Sequence, residues 1–341
     1  NGNRSYGEIG LGLQYLLLDF GGRRARVDSA KQSLIAANWV HNQTIQDIFR
    51  DVPQAYYYHV SAKARKYAAK KSLIDANVSL KATRTRKDAG VATIADVLQA
   101  RSSREEAVLE LESAKGATEI TKGQLASSVG WSANTPFVAK DKLGHLPLTT
   151  IAKNVDKLIT LARKNRPDLN AAMATVRQKE ADLRNARALP FPKLSTTGKV
   201  MYRGTRAMRE EIYYGGLQLQ LPIFHGFKMQ NSIRKARNEL AAARASFRET
   251  DDDIIQETWS AYYNFETAEK QLVSSRALMA SASESYKVSL ERYKVGAADI
   301  VELLNTQATL AQARAGLVDA RMMLYTSYAD LLHSIGKSFP Y

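Results

Sequence analysis

The sequence predicts a mainly α protein with a small β part, built by internal duplication. Three observations carry this. Two long stretches, 23–87 and 228–295, are almost free of glycine and proline. Short segments before and between them alternate leucine with polar or small residues. One glycine-centred segment occurs twice, with Gly90 and Gly296 separated by 206 positions.

The repeat orders the rest. Asp88-Ala-Gly-Val-Ala-Thr-Ile-Ala-Asp-Val-Leu-Gln99 matches Lys294-Val-Gly-Ala-Ala-Asp-Ile-Val-Glu-Leu-Leu-Asn305. At that offset Arg86 falls on Arg292, Ile94 on Ile300, Asp96 on Glu302 and Leu98 on Leu304. Upstream, Tyr56-Tyr57 falls on Tyr262-Tyr263. Leu17-Leu-Asp-Phe-Gly-Gly22 aligns with Leu221-Pro-Ile-Phe-His-Gly226, at an offset of 204. Each half therefore reads as strand, glycine, long helix, glycine turn, long helix.

The first stretch holds Pro53 and no glycine; the second holds neither residue. As helices, each runs for about 100 Å at 1.5 Å per residue. Helices of that length need partners along their sides, which points to coiled coil. Pro53 is expected to kink or bulge the first one. In the last helix Leu303, Leu310, Leu317, Leu324 and Leu331 recur every seventh residue. A second stripe runs from Val301 and Leu304 through Ala308, Ala311 and Ala315 to Leu332. Two stripes suit a helix with neighbours on two sides. An ordinary bundle core gives the same periodicity.

Strands are expected over 10–17, 194–201 and 217–221. Leu11, Leu13, Tyr15 and Leu17 alternate with small or polar residues, as do Leu217, Leu219 and Leu221. The strands approach the 9–11 residues that a tilted transmembrane strand needs. A half-buried soluble sheet alternates in the same way. Tyr6, Phe20, Phe191, Tyr202, Tyr213, Tyr214, Phe224 and Phe227 cluster near the strand ends, as an interfacial girdle would. Between the halves lie a loop from Gly130 to Pro147, a short helix over 150–165, and a helix over 168–188 that ends at Pro190-Phe-Pro192.

Composition sets the bounds. The 341 residues are 45% hydrophobic and 24% charged, which is globular composition. Lysine and arginine number 49 against 34 acids, a net +15. The basic residues are scattered and alternate with acidic ones, as on exposed long helices, so nucleic acid is not expected as a partner. There is no cysteine, which excludes disulfides and thiolate chemistry. No run of 18 apolar residues occurs, so no transmembrane helix is expected. The Asp19-Phe20-Gly21 triplet has no kinase context. Histidines 41, 59, 145, 225 and 333 show no metal-ligand spacing. No enzyme, cofactor or metal site is expected.

Four motifs converge: the doubled Arg-x-x-x-Gly turn, the Leu221-Pro-Ile-Phe-x-Gly strand end, the Asn165-Arg-Pro-Asp-Leu helix start and the Ala188-Leu-Pro-Phe-Pro-Lys strand entry. Through them the chain resembles the TolC-type outer-membrane efflux and secretion channels over nearly its whole length. The resemblance implies a homotrimer of the bacterial outer membrane, extending into the periplasm. Long helices would form a trimeric α-barrel and short strands a shared transmembrane β-barrel. It implies an exit duct of a tripartite efflux pump or type I secretion system. Its partners would be outer-membrane lipid, a periplasmic adaptor (membrane fusion protein) and an inner-membrane transporter. The family has four strands where three candidates are present, and its first strand and helices are expected ahead of Asn1. The segments would be a first strand (1–22), a helical hairpin (23–128), an equatorial region (129–190), a strand pair (191–225), a second hairpin (226–335) and a tail (336–341).

The resemblance also assigns residues. The two glycine turns would form the periplasmic tip. Arg86, Gly90, Val91, Ala92 and Thr93, with Arg292, Gly296, Ala297 and Ala298, would dock the adaptor. Asp96, Tyr293, Glu302 and Asn305 would line the closed constriction, with threefold copies of Glu302 making an acidic ring. Asn305 stands where the family often has a second carboxylate, and Ala298 stands where it has arginine. Gln14, Gln218 and Gln220 would face the barrel lumen. The residues alone leave two plainer readings open: glycines that merely join antiparallel helices, and Glu302 as a solvated flank. The alternative class is a soluble basic coiled-coil scaffold or nucleic-acid-binding protein.

Overall fold

A computed structural model describes residues 7–140, 154–204 and 209–337. The elements in chain order are β1 (Gly7–Leu18), α1 (Gly22–Asp88), α2 (Ile94–Ser128), α3 (Val155–Asn165), α4 (Pro167–Ala188), β2 (Lys193–Gly204), β3 (Arg209–Gln220), α5 (Lys228–Lys294) and α6 (Ile300–Ser334). Helices dominate, as expected. The chain divides into two compact units that cut across α1 and α5. One comprises residues 1–42 and 167–252, the other 43–166 and 253–341.

The duplication is stricter than the sequence alignment suggested. α1 and α5 each have 67 residues, and α2 and α6 each have 35. All four pairs of helix ends differ by 206. The strand-to-helix turns obey the same offset. Phe20 and Gly21 have positive φ before α1, and Gly226 and Phe227 have it before α5. The 204 alignment of Gly22 with Gly226 is therefore corrected to Phe20 with Gly226. The hand of the backbone, rather than the glycine itself, is what repeats.

Four helix ends share one cap. Gly90, Gly130, Gly296 and Gly336 all have positive φ. In each case the glycine N–H reaches the carbonyl three residues back, and the next N–H reaches the carbonyl five back. Gly90 N and Val91 N, for example, donate to Lys87 O and Arg86 O at 2.9 and 3.0 Å. This Schellman closure satisfies the last carbonyls and favours a residue without Cβ. α1 continues as helix through Pro53. α3 starts at Val155, because Asn154 caps it by accepting Asp156 N at 2.8 Å. The expected helical residues 150–153 lie outside the described residues, as do Tyr6, His145, Pro147 and the tail beyond 337.

In the second unit, one core joins α3, α5 and α6 around Leu158, Phe265, Leu324, Tyr328 and Leu331. Another joins α1, α2, α5 and α6 around Leu80, Ala100, Tyr286, Leu303 and Leu310. The leucine heptad is the core face: Leu303 and Leu331 are completely buried. Each contributes about 1.5–3 kcal/mol of burial. The second stripe is more open, with Val301 52% exposed. In the first unit, α4 packs on α5 through Val176, Leu183, Ala236 and Leu240. It also binds α1 through Ser29 Oγ, which donates to Asp182 at 2.6 Å.

The strands form one antiparallel sheet of order β1-β2-β3 in the first unit. They are longer than the sequence reading, at 12 residues each. β3 begins at Arg209 because the alternation continues through aromatics, Tyr213 included, rather than leucines. Register sorts the two faces. Leu11 pairs with Val200 and Val200 with Tyr213; Tyr15 pairs with Thr196 and Thr196 with Leu217. Ile9, Leu11, Leu13, Tyr202, Tyr213, Leu217 and Leu219 thus share one face and are 49–83% exposed. Gln14 pairs with Thr197 and Gln218 with Ser195, so the glutamines share the opposite face with Lys199 and Arg203. Phe20 stacks on Phe191 at 5.1 Å and Phe224 meets Phe227 at 5.8 Å, at the helix end of the strands. Tyr202 and Tyr213 stand towards the other end.

Candidate functional site

The two interhelical turns lie together in the second unit. Each opens with the Schellman cap at Gly90 or Gly296 and closes with an N-cap. Thr93 caps α2: its Oγ1 accepts Asp96 N at 3.2 Å, and Asp96 Oδ2 accepts Thr93 N at 2.8 Å. Asp299, the repeat mate of Thr93, caps α6 by accepting Glu302 N at 2.7 Å. The reciprocal bond differs. Glu302 is one methylene longer than Asp96, and its Oε1 takes Arg292 Nη1 at 2.7 Å and Ser289 Oγ at 3.1 Å.

The two arginines share one bond and differ in the other. Arg86 Nη2 donates to Val91 O at 3.3 Å, and Arg292 Nη2 donates to Ala297 O at 3.0 Å. Those are equivalent positions. The second arm of Arg292 stays in its own hairpin, on Glu302. The second arm of Arg86 crosses to the other hairpin, donating to Tyr293 O at 2.6 Å and Ala298 O at 3.5 Å. Its guanidinium also lies 4.5 Å from the centre of the Tyr293 ring.

These contacts place each expected site residue. Tyr293 is 2% exposed, and its hydroxyl is buried with no hydrogen-bond partner. Asn305 is exposed and Glu302 half-buried. Asp96 is engaged as a helix cap. Ala298 has no charged side chain, yet an arginine from the first hairpin reaches its carbonyl. Val91, Ile94 and Val295 are 61–79% exposed, an apolar surface around the turns. Sequence reading missed the crossing of Arg86, because repeat mates were expected to act alike. It also missed Gly130 and Gly336, which the 206 offset would have paired. Among the described residues no group of histidine and acidic side chains could hold a metal ion.

A sheet with one exposed, largely apolar face, and paired helical hairpins with matched turns, fit a duplicated membrane-inserted channel protein. The chain matches the family described as outer membrane efflux protein over residues 1–131 and 158–337, and it belongs to that family. It is an outer-membrane channel, so the soluble scaffold and nucleic-acid alternative is set aside. Among curated relatives it is 25% identical to outer membrane protein OprJ of Pseudomonas aeruginosa, over 96% of this chain and 70% of that one. It is 26% identical to outer membrane efflux protein BepC of Brucella suis, over 98% and 73%. Pyoverdine export outer membrane protein OpmQ of P. aeruginosa is 27% identical over 96% and 69%. Among solved structures, VceC of Vibrio cholerae aligns with a TM-score of 0.88 at 20% identity, covering 100% of this chain and 82% of that one. The Campylobacter jejuni CmeC channel aligns at 0.85 and 20% identity, over 98% and 72%.

Proposed function

We propose that three copies of this protein assemble into the exit duct of a tripartite efflux pump or type I secretion system. The observation that carries the reading is the sheet. Its apolar face is exposed and carries charge only at the β2–β3 turn end, at Arg209 and Glu211, while Gln14, Gln218, Lys199 and Arg203 share the other, as lipid and a water-filled lumen require. The helices support an assembly too. Leu98, Leu109 and Ile120 on α2 and Val273, Leu278 and Val288 on α5 are all 54–70% exposed. A second copy would cover them, α2 of one against α5 of the next.

The turns take two roles in this reading. Val91, Ala92, Thr93, Gly90, Gly296, Ala297 and Ala298 offer small, exposed or backbone surface to a periplasmic adaptor, which docks an inner-membrane transporter. Glu302, with Asp96 and Asn305 on neighbouring helix starts, surrounds the axis and favours cations. Relatives are named for pyoverdine, toluene and antibiotics. Cargo choice accordingly lies with the transporter, and this chain supplies the passage.

Single-channel recording in planar bilayers tests the reading. The expected result is a small, cation-selective conductance whose selectivity drops in Glu302→Gln. A protein that purifies as a soluble monomer without detergent, and conducts nothing, would overturn it.

A further inference from the structure

A polar cluster in the second unit lies at the opposite end of α6 from Glu302. Its centre is His333, which is 5% exposed. Its Nε2 is 2.8 Å from Asp47 Oδ1 of α1, and its Nδ1 is 3.5 Å from Glu257 Oε1 of α5. Glu257 Oε2 takes Arg166 Nη1 at 2.5 Å. Arg166 is itself 5% exposed and forms the corner between α3 and α4. Gly336 is pressed onto that corner: a Cβ there would meet Asn165 Cβ at 2.7 Å. One imidazole thus ties α1, α5 and α6 to the α3–α4 corner.

The ring's partners specify its charge. A neutral imidazole has one donor and one acceptor, whereas the protonated ring has two donors. Both nitrogens of His333 face carboxylate oxygens, which only accept. The neutral ring would hold Nε2–H towards Asp47 and leave the Nδ1 lone pair against Glu257; indeed Nδ1 is buried with no hydrogen bond. The surrounding charges agree. α1 brings Asp47 and Arg50, the latter paired with exposed Asp51 at 2.9 Å. The corner brings Arg166, α5 brings Glu257, and α6 brings Asp330, which accepts from Gln54 at 2.6 Å. Asp47, Glu257, Asp330 and Asp51 face two guanidinium groups, so a proton on His333 offsets part of the remaining negative charge.

We infer that His333 is a proton-operated clasp, closed when the ring is charged and released when it is neutral. The clasp goes beyond the channel reading and does not depend on it. For an outer-membrane channel, the cluster would stand in the periplasm, where pH follows the medium. Acidification would tighten the helices around it and alkaline medium would loosen them.

Amide hydrogen exchange of the full-length protein in detergent tests this, at about pH 5.5, 7 and 8.5, scaled for intrinsic exchange. In the wild type, segments 45–52, 254–260 and 328–336 should exchange about fivefold faster or more at the alkaline end. His333→Gln should remove that dependence. Equal scaled exchange at all three pH values in the wild type would overturn the clasp, and so would a wild-type pH dependence retained in His333→Gln. If His333→Gln fails to assemble, Asp47→Asn decides: it keeps the histidine but removes one anion. A pH dependence unchanged in Asp47→Asn overturns the clasp, and a diminished one supports it.

Discussion

The guanidinium of Arg86 lies 4.5 Å above the ring of Tyr293 and joins the two hairpins of one chain at their turns. The repeat cannot make this contact twice. The mate of Tyr293 at the 206 offset is Lys87, which offers no ring and repels an arginine. Arg292, the mate of Arg86, is held instead by Glu302 in its own hairpin. A fold duplicated residue for residue in its backbone is therefore asymmetric in its side-chain bonds. In a threefold assembly, seams within a copy would carry this staple and seams between copies would not.

Arg86→Ala should loosen the second turn. Hydrogen bonds from a charged donor are worth about 1.5–3 kcal/mol each, so amides over 293–299 should exchange at least about tenfold faster. Arg86→Lys should recover only part, since an ammonium cannot span two carbonyls and a ring face. Unchanged exchange in both variants would show that the staple has no energetic weight.

The glycine caps should differ in tolerance. At Gly90 nothing lies within 4 Å of an added Cβ, and at Gly296 the nearest atom is 3.8 Å away. Alanine there costs only the left-handed backbone, about 1–2 kcal/mol. At Gly336 the same cost is joined by a 2.7 Å clash with Asn165. Thermal unfolding should rank Gly336→Ala well below the other two.

The two sheet faces should respond oppositely to charge. Leu11→Arg and Leu217→Arg place a cation on the apolar face and should cost about 2–4 kcal/mol near a bilayer midplane. Assembly in the outer membrane, read from detergent-extracted protein, should fall. Gln218→Arg should assemble normally and alter conductance.

Acid should weaken the Glu257 pair. The neighbouring His333 imidazole and then the Arg166 guanidinium hold this carboxyl down to about 2, from an ordinary 4.5. A depressed carboxyl contributes stability above its unfolded value and loses it as pH falls through the folded one. The melting temperature should therefore drop between about pH 4.5 and pH 2 in the wild type. Glu257→Gln should show a shallower drop in that window.

Much of this was legible in the sequence, for reasons particular residues make plain. The leucine heptad of α6 announced its buried face, since burial of Leu303 and Leu331 depends on helical period alone. The alternation of Leu11, Leu13 and Tyr15 announced a sheet face. β3 was read too short because Tyr213 and Tyr214, side by side, break a leucine-only pattern while still fitting the pleat. The strand-end alignment slipped by two because Phe20 and Phe227 adopt positive φ where glycine was the marker. The positions of the two interhelical turns followed from the motif, but the partners of Arg86 did not. Sequence spacing says nothing about which of two neighbouring carbonyl sets a long side chain reaches. His333 carried no signal at all, since its partners lie on other helices.

β1 and β3 run in the same direction, because each is antiparallel to β2. In the proposed assembly, copies related by rotation would bring β3 of one towards β1 of the next, and those two could pair only in parallel. In the proposed shared barrel, a fully antiparallel ring would need an even count of strands from each copy. The three described strands make an odd one. A further strand per copy at that junction would then have to run as β2 does.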